Sequence, residues 1–467
     1  MALTLGCSGA DASTPDDGEA LSHDSSADVA PVVDAGDDSS SDSGTPFETS
    51  VSGDVALDDV TFDTAPPKSN IEHVVVIVQE NHSFDSYFGR WCTAPPGSAP
   101  TCTSGPSCCE AAPDKDENGT APSVLDDANN AGNDHNHSRA CELSEIDSGK
   151  MDRFTAGSSV SGCSSPGNFA IAPDAVVRTY HDYARKYALA DRYFQPLAGA
   201  SSANDMYFAV ARWVFDDNAF KPASNGKGCI NPTASTKTYS GVTTIADLLI
   251  AGGHPFGFYA EGYAAMLGTP FCPLPPSDCP EHIPTNPCDY DCSDVPFEYY
   301  DQFLDKKPYM KDYDELEKDL ASELPALTFV KGLGYHNEHP GYGTKISDGV
   351  AFVSRTVDRI LASKYGETTL ILLTWDESGG LYDHVAPPPA SSVDLMPYGA
   401  RVPLLALGKF ARAGTVSHVP MEHSSIVKFL EWNFLHATGQ LSARDAAVNN
   451  LGSLLDPATT GVVVPEH

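Results

Sequence analysis

The chain has 467 residues, with 28 Lys+Arg against 64 Asp+Glu and a formal net charge of −36. That length buries a sizeable core, and 41% hydrophobic residues exclude global disorder. The acidity argues against a nucleic-acid partner, whose phosphates most of the surface repels. No uncharged apolar run reaches the roughly 18 residues that span a bilayer.

Residues 1–70 hold 15 acids and one base, Lys68, in a segment rich in Ser, Asp, Ala, Gly and Pro. Too few large apolar groups occur there to offset the entropy of ordering, so residues 1–68 are expected to form a disordered acidic tether. The opening MALTLGCSGADAST resembles the end of a bacterial lipoprotein signal, with Cys7 as the lipid-bearing residue. Its basic region and most of its apolar stretch are missing, which a start upstream of Met1 would supply. The expected location is outside the cytoplasm, as a surface or periplasmic lipoprotein or a secreted protein. Twelve cysteines agree, because those after Cys7 cluster in Pro/Gly-rich sequence between Cys92 and Cys292, as disulfide staples do in an oxidising compartment. If Cys7 carries lipid, the other eleven leave one thiol over. The spacing of Cys272, Cys279, Cys288 and Cys292 fits no usual pair of zinc knuckles.

The catalytic domain is expected over 69–467. IEHVVVIVQ (71–79) is a continuous run of β-branched residues, the pattern of a strand buried on both faces. PALTFV (325–330), TTLILLTW (368–375), VPLLALG (402–408) and, more weakly, PFGFYAE (255–261) read the same way. Between them, helical spacing of apolar residues runs over 174–188, 202–215, 348–366 and 424–436. Strands alternating with helices predict an α/β fold, with a mostly parallel central sheet and helices on both faces. Residues 92–145 and 217–300 are loop-rich insertions. Within the first, DKDENGT (114–120) starts like a calcium loop, but Leu125 stands where its bidentate Glu belongs, so a polar turn is the better reading.

Ligands of such sheets bind at the carboxyl ends of the strands. One strand runs into Gln79-Glu80-Asn81-His82-Ser83 and another into Asp376-Glu377-Ser378-Gly379-Gly380. Carboxylates leaving a buried strand end repel one another unless a cation compensates. Glu80, Asn81, Asp376 and Glu377 offer a hard oxygen set for one divalent ion, with helix capping by Asn81 or Ser83 as the bland alternative. Ser201 and Ser202 open a helix, where the positive field suits a nucleophile or a phosphate and where serine also serves as a plain cap. His137, His339 and His384 lie near strand ends and are candidates to bind phosphoryl oxygens or protonate a leaving group.

IEHVVVIVQENHSFDSYFG resembles the opening signature of the bacterial phosphoesterase family of phospholipases C and secreted acid phosphatases, within the alkaline-phosphatase-like superfamily. TWDESGGLYDHVAPP is similar to its Asp-Glu-x-Gly-Gly-x-Tyr-Asp-His-Val signature, and NEHPG, GKMDRF, YGARVPLLALG and MEHSSIVKFLEWNF are similar to further blocks in the same order. The resemblance covers about 71–457 outside the insertions. It implies one divalent metal ion (Mg, Ca, Mn, Zn or Fe) on Glu80, Asn81, Asp376 and Glu377. It also implies Ser201 as nucleophile, in place of a Thr in the family's Thr-His-Pro-Asn, with Asn204 binding substrate and His137, His339 and His384 around the phosphate. The family's usual Arg after Glu-Asn is His82 here. The expected activity is hydrolysis of phosphoric esters through a phosphoserine, in the manner of an acid phosphatase. Cleavage of phospholipid headgroups by a phospholipase C is the alternative, and a catalytically silent binding lipoprotein a third reading. The chain reaches His467 soon after the last block, with no room for the C-terminal β-domains common in phospholipases C, which favours the compact phosphatase architecture. The partners expected are small phosphate esters or phospholipid headgroups.

Overall fold

The β-branched run after Ile71 forms strand β1 (His73–Gln79), whose six residues from Val74 onward are all buried. The computed structural model describes residues 66–229, 233–267, 288 and 290–467. The expected tether, its Cys7 anchor, Cys272 and Cys279 lie outside the described residues. Seven further strands join β1: β2 (Ala188–Ala190), β3 (Phe256–Ala260), β4 (Met310–Asp312), β5 (Leu327–Lys331), β6 (Thr369–Trp375), β7 (Leu404–Leu407) and β8 (Thr415–Ser417). Their order is β8-β2-β7-β6-β1-β5-β3-β4. Only β7 runs antiparallel to its neighbours; the other pairings in this sheet are parallel. The segment 217–300, loop-rich as expected, also supplies β3 to the sheet.

Six helices matter for the site: α1 (Phe84–Phe88), α2 (Arg139–Ile146), α3 (Asp174–Lys186), α4 (Ser201–Val210), α5 (Ile346–Ala362) and α6 (His423–Leu430). In α3 the buried residues Val177, Tyr180, His181 and Ala184 repeat at helical spacing and face the core. Helix α4 differs, being buried at every position, and it ends where Ala211 takes a left-handed conformation (φ 51°). The helical pattern expected to 215 stops there. α3 packs against α5, and α4 against α6.

The described cysteines follow the disulfide reading. Cys92–Cys109, Cys102–Cys108 and Cys141–Cys163 are bonded within the first insertion and its flank. Cys229 and Cys288 are also disulfide-bonded, while Cys292 is a buried free thiol. The calcium-like loop is a polar turn. Asp116 accepts from the backbone N–H groups of Asn118 and Thr120 and from the Thr155 hydroxyl, so its carboxylate is already engaged within the turn.

A buried arginine ties these parts together. Arg401, fully buried just before β7, donates to Asp383 Oδ1 (2.8 Å), Asp85 Oδ1 (3.1 Å) and the Asp191 carbonyl (2.9 Å). Its guanidinium stacks 4.4 Å from the Phe84 ring centroid. His384 completes the network through Asp85 Oδ2 (2.7 Å) and Glu110 Oε2 (3.4 Å). Removing a single member of such a network strands uncompensated charge in the core. Arg401→Met is expected to lower stability by about 3–5 kcal/mol in denaturant unfolding. A loss under about 1 kcal/mol, the scale of surface pairs, would show that the network is not structural.

Candidate active site

The parallel pairing of β1 with β6 places Gln79 opposite Trp375. The chain therefore leaves both strands at the same edge, with Glu80 beside Asp376. Asn81 adopts a left-handed conformation (φ 59°), which Asn tolerates better than most residues, and its N–H donates to Asp376 Oδ1 at 3.1 Å. The turn after Asp376 must come close to it. A Cβ on Gly379, itself at φ 67°, would lie 2.3 Å from the Asn81 carbonyl oxygen. Ser83, not Asn81, caps helix α1.

Ser201 is the first residue of α4, and its Oγ lies 3.3 Å from both Glu80 Oε2 and Asn81 Oδ1. One hydroxyl proton thus serves two acceptors, at the helix end where free N–H groups favour negative charge. The neighbouring Ser202 does not line the cleft that Ser201 lines. Asn204 is not among the residues that line the cleft. Its amide accepts from Leu197 N–H (3.0 Å) and donates to the carbonyls of Gly199 (2.7 Å) and Ala200 (3.2 Å), clamping the loop that presents Ser201.

Ser201 opens into a cleft of 370 Å³, lined among others by Glu80, Lys331, His339, Tyr290 and Asp294. Buried carboxyls crowd the strand ends behind it. Burial, then Glu80, pushes Asp376 up to about 8. Burial, then Asp376 and Glu142, raises Glu377 well above the carboxyl range. Burial opposes ionisation of Glu80 too, but the Lys331 ammonium and then His339 outweigh it and hold the group low. Lys331 Nζ pairs with Glu80 Oε1 and lies 3.9 Å from Asp294.

Several buried polar atoms here have no hydrogen-bond partner: Asp376 Oδ2, Asn81 Nδ2 and Glu377 Oε1. Orphaned carboxylate oxygens in a dry site call for a cation. The donors that meet at Ser201 are all oxygen (Glu80, Asn81, Asp376 and the hydroxyl), and they fit a hard divalent ion. Glu377 is turned elsewhere. Its Oε2 accepts from Gly379 N–H (2.5 Å), and its free Oε1 lies 3.8 Å from His137 Nε2.

Of the three candidate histidines, His339 lines the cleft. His137 stands beside it, the ring centroids 6.1 Å apart. His384 is held in the Arg401 network, where burial is outweighed by Asp85 and Glu110 and the ring is pushed up to about 9. It is not among the cleft residues, and both of its ring nitrogens are engaged in that network.

Residues that the sequence reading did not single out hold the site in shape. Glu142 on α2 accepts from Gly199 N–H (2.8 Å), Gln195 Nε2 (2.8 Å) and the Ser378 hydroxyl (3.1 Å), bracing the serine loop against the turn after Asp376. Glu338 accepts from Tyr87 OH (2.7 Å), Tyr180 OH and Trp375 Nε1 (3.1 Å), fixing the loop that carries His339. Lys331 was findable by the rule that selected Glu80, since it is a charged residue at the end of a buried strand. Glu142 lies in the Cys-rich insertion, where no pattern marks it.

An α/β protein in which two acidic strand ends meet a helix-terminal serine is the class that this fold and site define. The sequence model of the phosphoesterase family matches residues 71–435, and the chain belongs to that family. Among relatives, phospholipase C B of Mycobacterium tuberculosis is 23% identical over 428 residues, 82% of this chain and 77% of that protein. Non-hemolytic phospholipase C of Pseudomonas aeruginosa is 28% identical over 151 residues, 26% of this chain and 22% of that protein. Non-specific phospholipase C6 of Arabidopsis thaliana is 27% identical over 175 residues, 31% and 33% of the two chains. The matched region thus spans about a fifth of the Pseudomonas protein and a third of the Arabidopsis one. A solved alkaline phosphatase superfamily protein from Vibrio parahaemolyticus aligns with a TM-score of 0.38 and 10% identity, covering 84% of this chain and 73% of that one.

The buried carboxyls set a pH dependence. Asp376 and Glu142 are pushed up to about 8, Glu145 to about 9 and Glu338 to about 7, with burial the leading cause in each. Between the ordinary carboxyl range and these values the native chain holds protons that the unfolded chain has released. Their contribution is therefore complete at low pH and is lost as pH rises through about 7–9. Metal-stripped protein is expected to have a lower Tm at pH 8 than at pH 5, read by thermal denaturation. A Tm that rises over that interval would contradict the assignment.

Proposed function

We propose that this chain hydrolyses phosphoric esters, with Ser201 as nucleophile and a divalent ion held by Glu80, Asn81 and Asp376. The observation that carries the reading is the position of the Ser201 hydroxyl, 3.3 Å from Glu80 Oε2 and Asn81 Oδ1 at the mouth of the cleft. Once bound, the ion supplies positive charge that polarises a phosphoryl oxygen and makes the serine hydroxyl easier to ionise. The Ser201 proton passes to Glu80, Ser201 Oγ bonds to phosphorus, and the bond to the leaving oxygen breaks to give a phosphoserine. His339 protonates the departing alkoxide. Asn81 Nδ2, buried without a partner, donates to a phosphoryl oxygen as charge builds there. Water then attacks phosphorus and gives a proton to His339, the bond from phosphorus to Ser201 Oγ breaks, and Glu80 returns its proton to that oxygen, releasing phosphate and free Ser201. The intact set of Glu80, Asn81, Ser201, Asp376 and His339 weighs against a silent binding protein.

Two substrate classes follow. The acid-phosphatase-like reading takes phosphomonoesters. The phospholipase C reading takes phosphodiester headgroups and is favoured by the names of the relatives above, including one matched along most of both chains. Hydrolysis of p-nitrophenyl phosphate beside p-nitrophenylphosphorylcholine, with and without chelator, separates them. Chelator-sensitive cleavage of the choline diester is expected under the second reading, of the monoester alone under the first. Cleavage of neither with any divalent metal sinks both.

Ser201→Ala is expected to cut turnover by about 10³-fold or more while metal content stays unchanged. Asp376→Asn should lose both metal and activity. Wild-type rates in the serine variant would remove Ser201 as nucleophile, and full metal content in the aspartate variant, by elemental analysis, would remove Asp376 as ligand.

A further inference from the structure

Of the eight large apolar side chains that stand exposed among the described residues, four gather beside the serine loop. They are Leu143 on α2, Trp213 just after α4, and Val393 and Leu395 in the loop before β7. Arg139 is where these three segments meet. Its Nη2 lies 3.6 Å from Met396 Sδ, and its Nε lies 3.6 Å from Asp216 Oδ1, which also accepts from Trp213 Nε1 at 2.9 Å. Leu143 follows Arg139 by one helical turn, on the same face of α2. Asp217 Oδ1 joins the group to the loop that presents Ser201, accepting from the N–H of Arg139 (2.6 Å) and of Ala200 (3.2 Å). The same segment continues to Asn218 and Phe220, which line the cleft.

The second observation is a strained leucine. Leu395 is 73% exposed and holds a left-handed backbone (φ 61°), a conformation that disfavours a bulky side chain and is ordinarily left to Gly or Asn. The turn enforces it. Leu395 N–H donates to the Ser391 carbonyl (3.0 Å), Ser391 N–H to the Met396 carbonyl (3.1 Å) and Ala198 N–H to the Pro397 carbonyl (2.9 Å). Core packing does not account for the strain, since most of the side chain is in solvent. Trp213 complements it, with its ring 40% exposed and its indole N–H already bonded. An apolar side chain fixed outward on a braced turn, together with such an indole, suits entry into the headgroup region of a bilayer.

We infer that Leu143, Trp213, Val393 and Leu395 form an adsorption surface for a zwitterionic phospholipid bilayer, which sets the cleft against its substrate. The inference rests on the phospholipase reading above for that substrate, and deepens it. A protein partner fits less well, because a stable protein interface takes about 800 Å² from each side, roughly 20–30 residues. Four side chains fall short of that. Adsorption to a bilayer needs only a few apolar groups set among the headgroups, with strength scaling with the apolar area they bury. Charge selects the kind of bilayer. A chain of net charge −36 is repelled by anionic lipid. The three carboxylates beside these side chains are nonetheless all engaged. Asp216 is held by Arg139 and Trp213, Asp217 by two backbone N–H groups, and Asp394 by Arg444 Nη1 at 2.7 and 2.8 Å, so none is left bare against lipid phosphates.

The test co-sediments the whole chain with phosphatidylcholine vesicles, with Cys7→Ser throughout so that no acyl chain contributes and with chelator present to hold back cleavage. Leu395→Gly removes the side chain and also relieves its backbone, so it does not threaten the fold. It is expected to weaken vesicle binding about 10-fold, and Trp213→Ala about as much. Without chelator, both variants should keep the wild-type rate on soluble p-nitrophenylphosphorylcholine and lose about 10-fold on vesicles, a split that misfolding would not give. Phosphatidylserine added to the vesicles should weaken wild-type binding. The inference is overturned if wild type stays in the supernatant, if both variants bind as it does, or if phosphatidylserine strengthens binding. It is equally overturned if the surface pairs two copies instead, seen in sedimentation velocity as a dimer that Leu395→Gly dissolves. Vesicle binding with no cleavage of any ester would leave this surface standing and sink the proposed activity. Cleavage of the soluble diester without vesicle binding would do the reverse.

Discussion

The pairing of β1 with β6 is the constraint on which the site depends. Both strands are apolar and buried along their length, so their register is set by core packing and by a ladder running from His73–Thr369 to Gln79–Trp375. That ladder stops with Glu80 and Asp376 side by side, in a place where water cannot solvate two negative charges. Lys331, arriving on the next parallel strand, answers part of this repulsion. The backbone N–H of Asn81 answers another part. Asp376 Oδ2 is left without a partner, and that unanswered oxygen is what the proposed ion would meet.

Precision at the strand ends comes from clamps that join distant segments. Glu142 touches both the loop before Ser201 and the turn after Asp376, while Glu338 gathers donors from α1, α3 and β6 around the loop of His339. Each is a carboxyl kept out of water and satisfied by several donors, an arrangement that tolerates little displacement. His423 adds a third clamp. It accepts from Tyr193 OH at 2.8 Å and donates to the Asp376 carbonyl at 2.7 Å, tying α6 to the turn after β6.

The long apolar strands were legible because burial on both faces leaves a continuous run in the sequence. The three-residue strands β2, β4 and β8 were not, since Ala188–Ala190 or Thr415–Ser417 is too short to carry a period. Glu80, Asn81, Asp376 and Ser201 could be read from strand ends and a helix start, and the family blocks pointed to the same residues. That Asn204 and His384 do not line the cleft could not be read, for the same physical reason. Sequence shows that a polar residue sits near a site but not what it is bonded to, and both are engaged in holding loops. The facing of Glu377 toward His137 lies beyond any spacing argument, because it depends on a turn that only Gly379 permits.

The ten residues of α4 have no face toward solvent. A helix of this kind cannot fray without exposing core, so its amides are expected to exchange with solvent only through opening on the scale of the whole domain. The serine is thereby fixed on an element expected to be among the last to open. Thermal motion can change who enters the cleft without moving the atom that waits there.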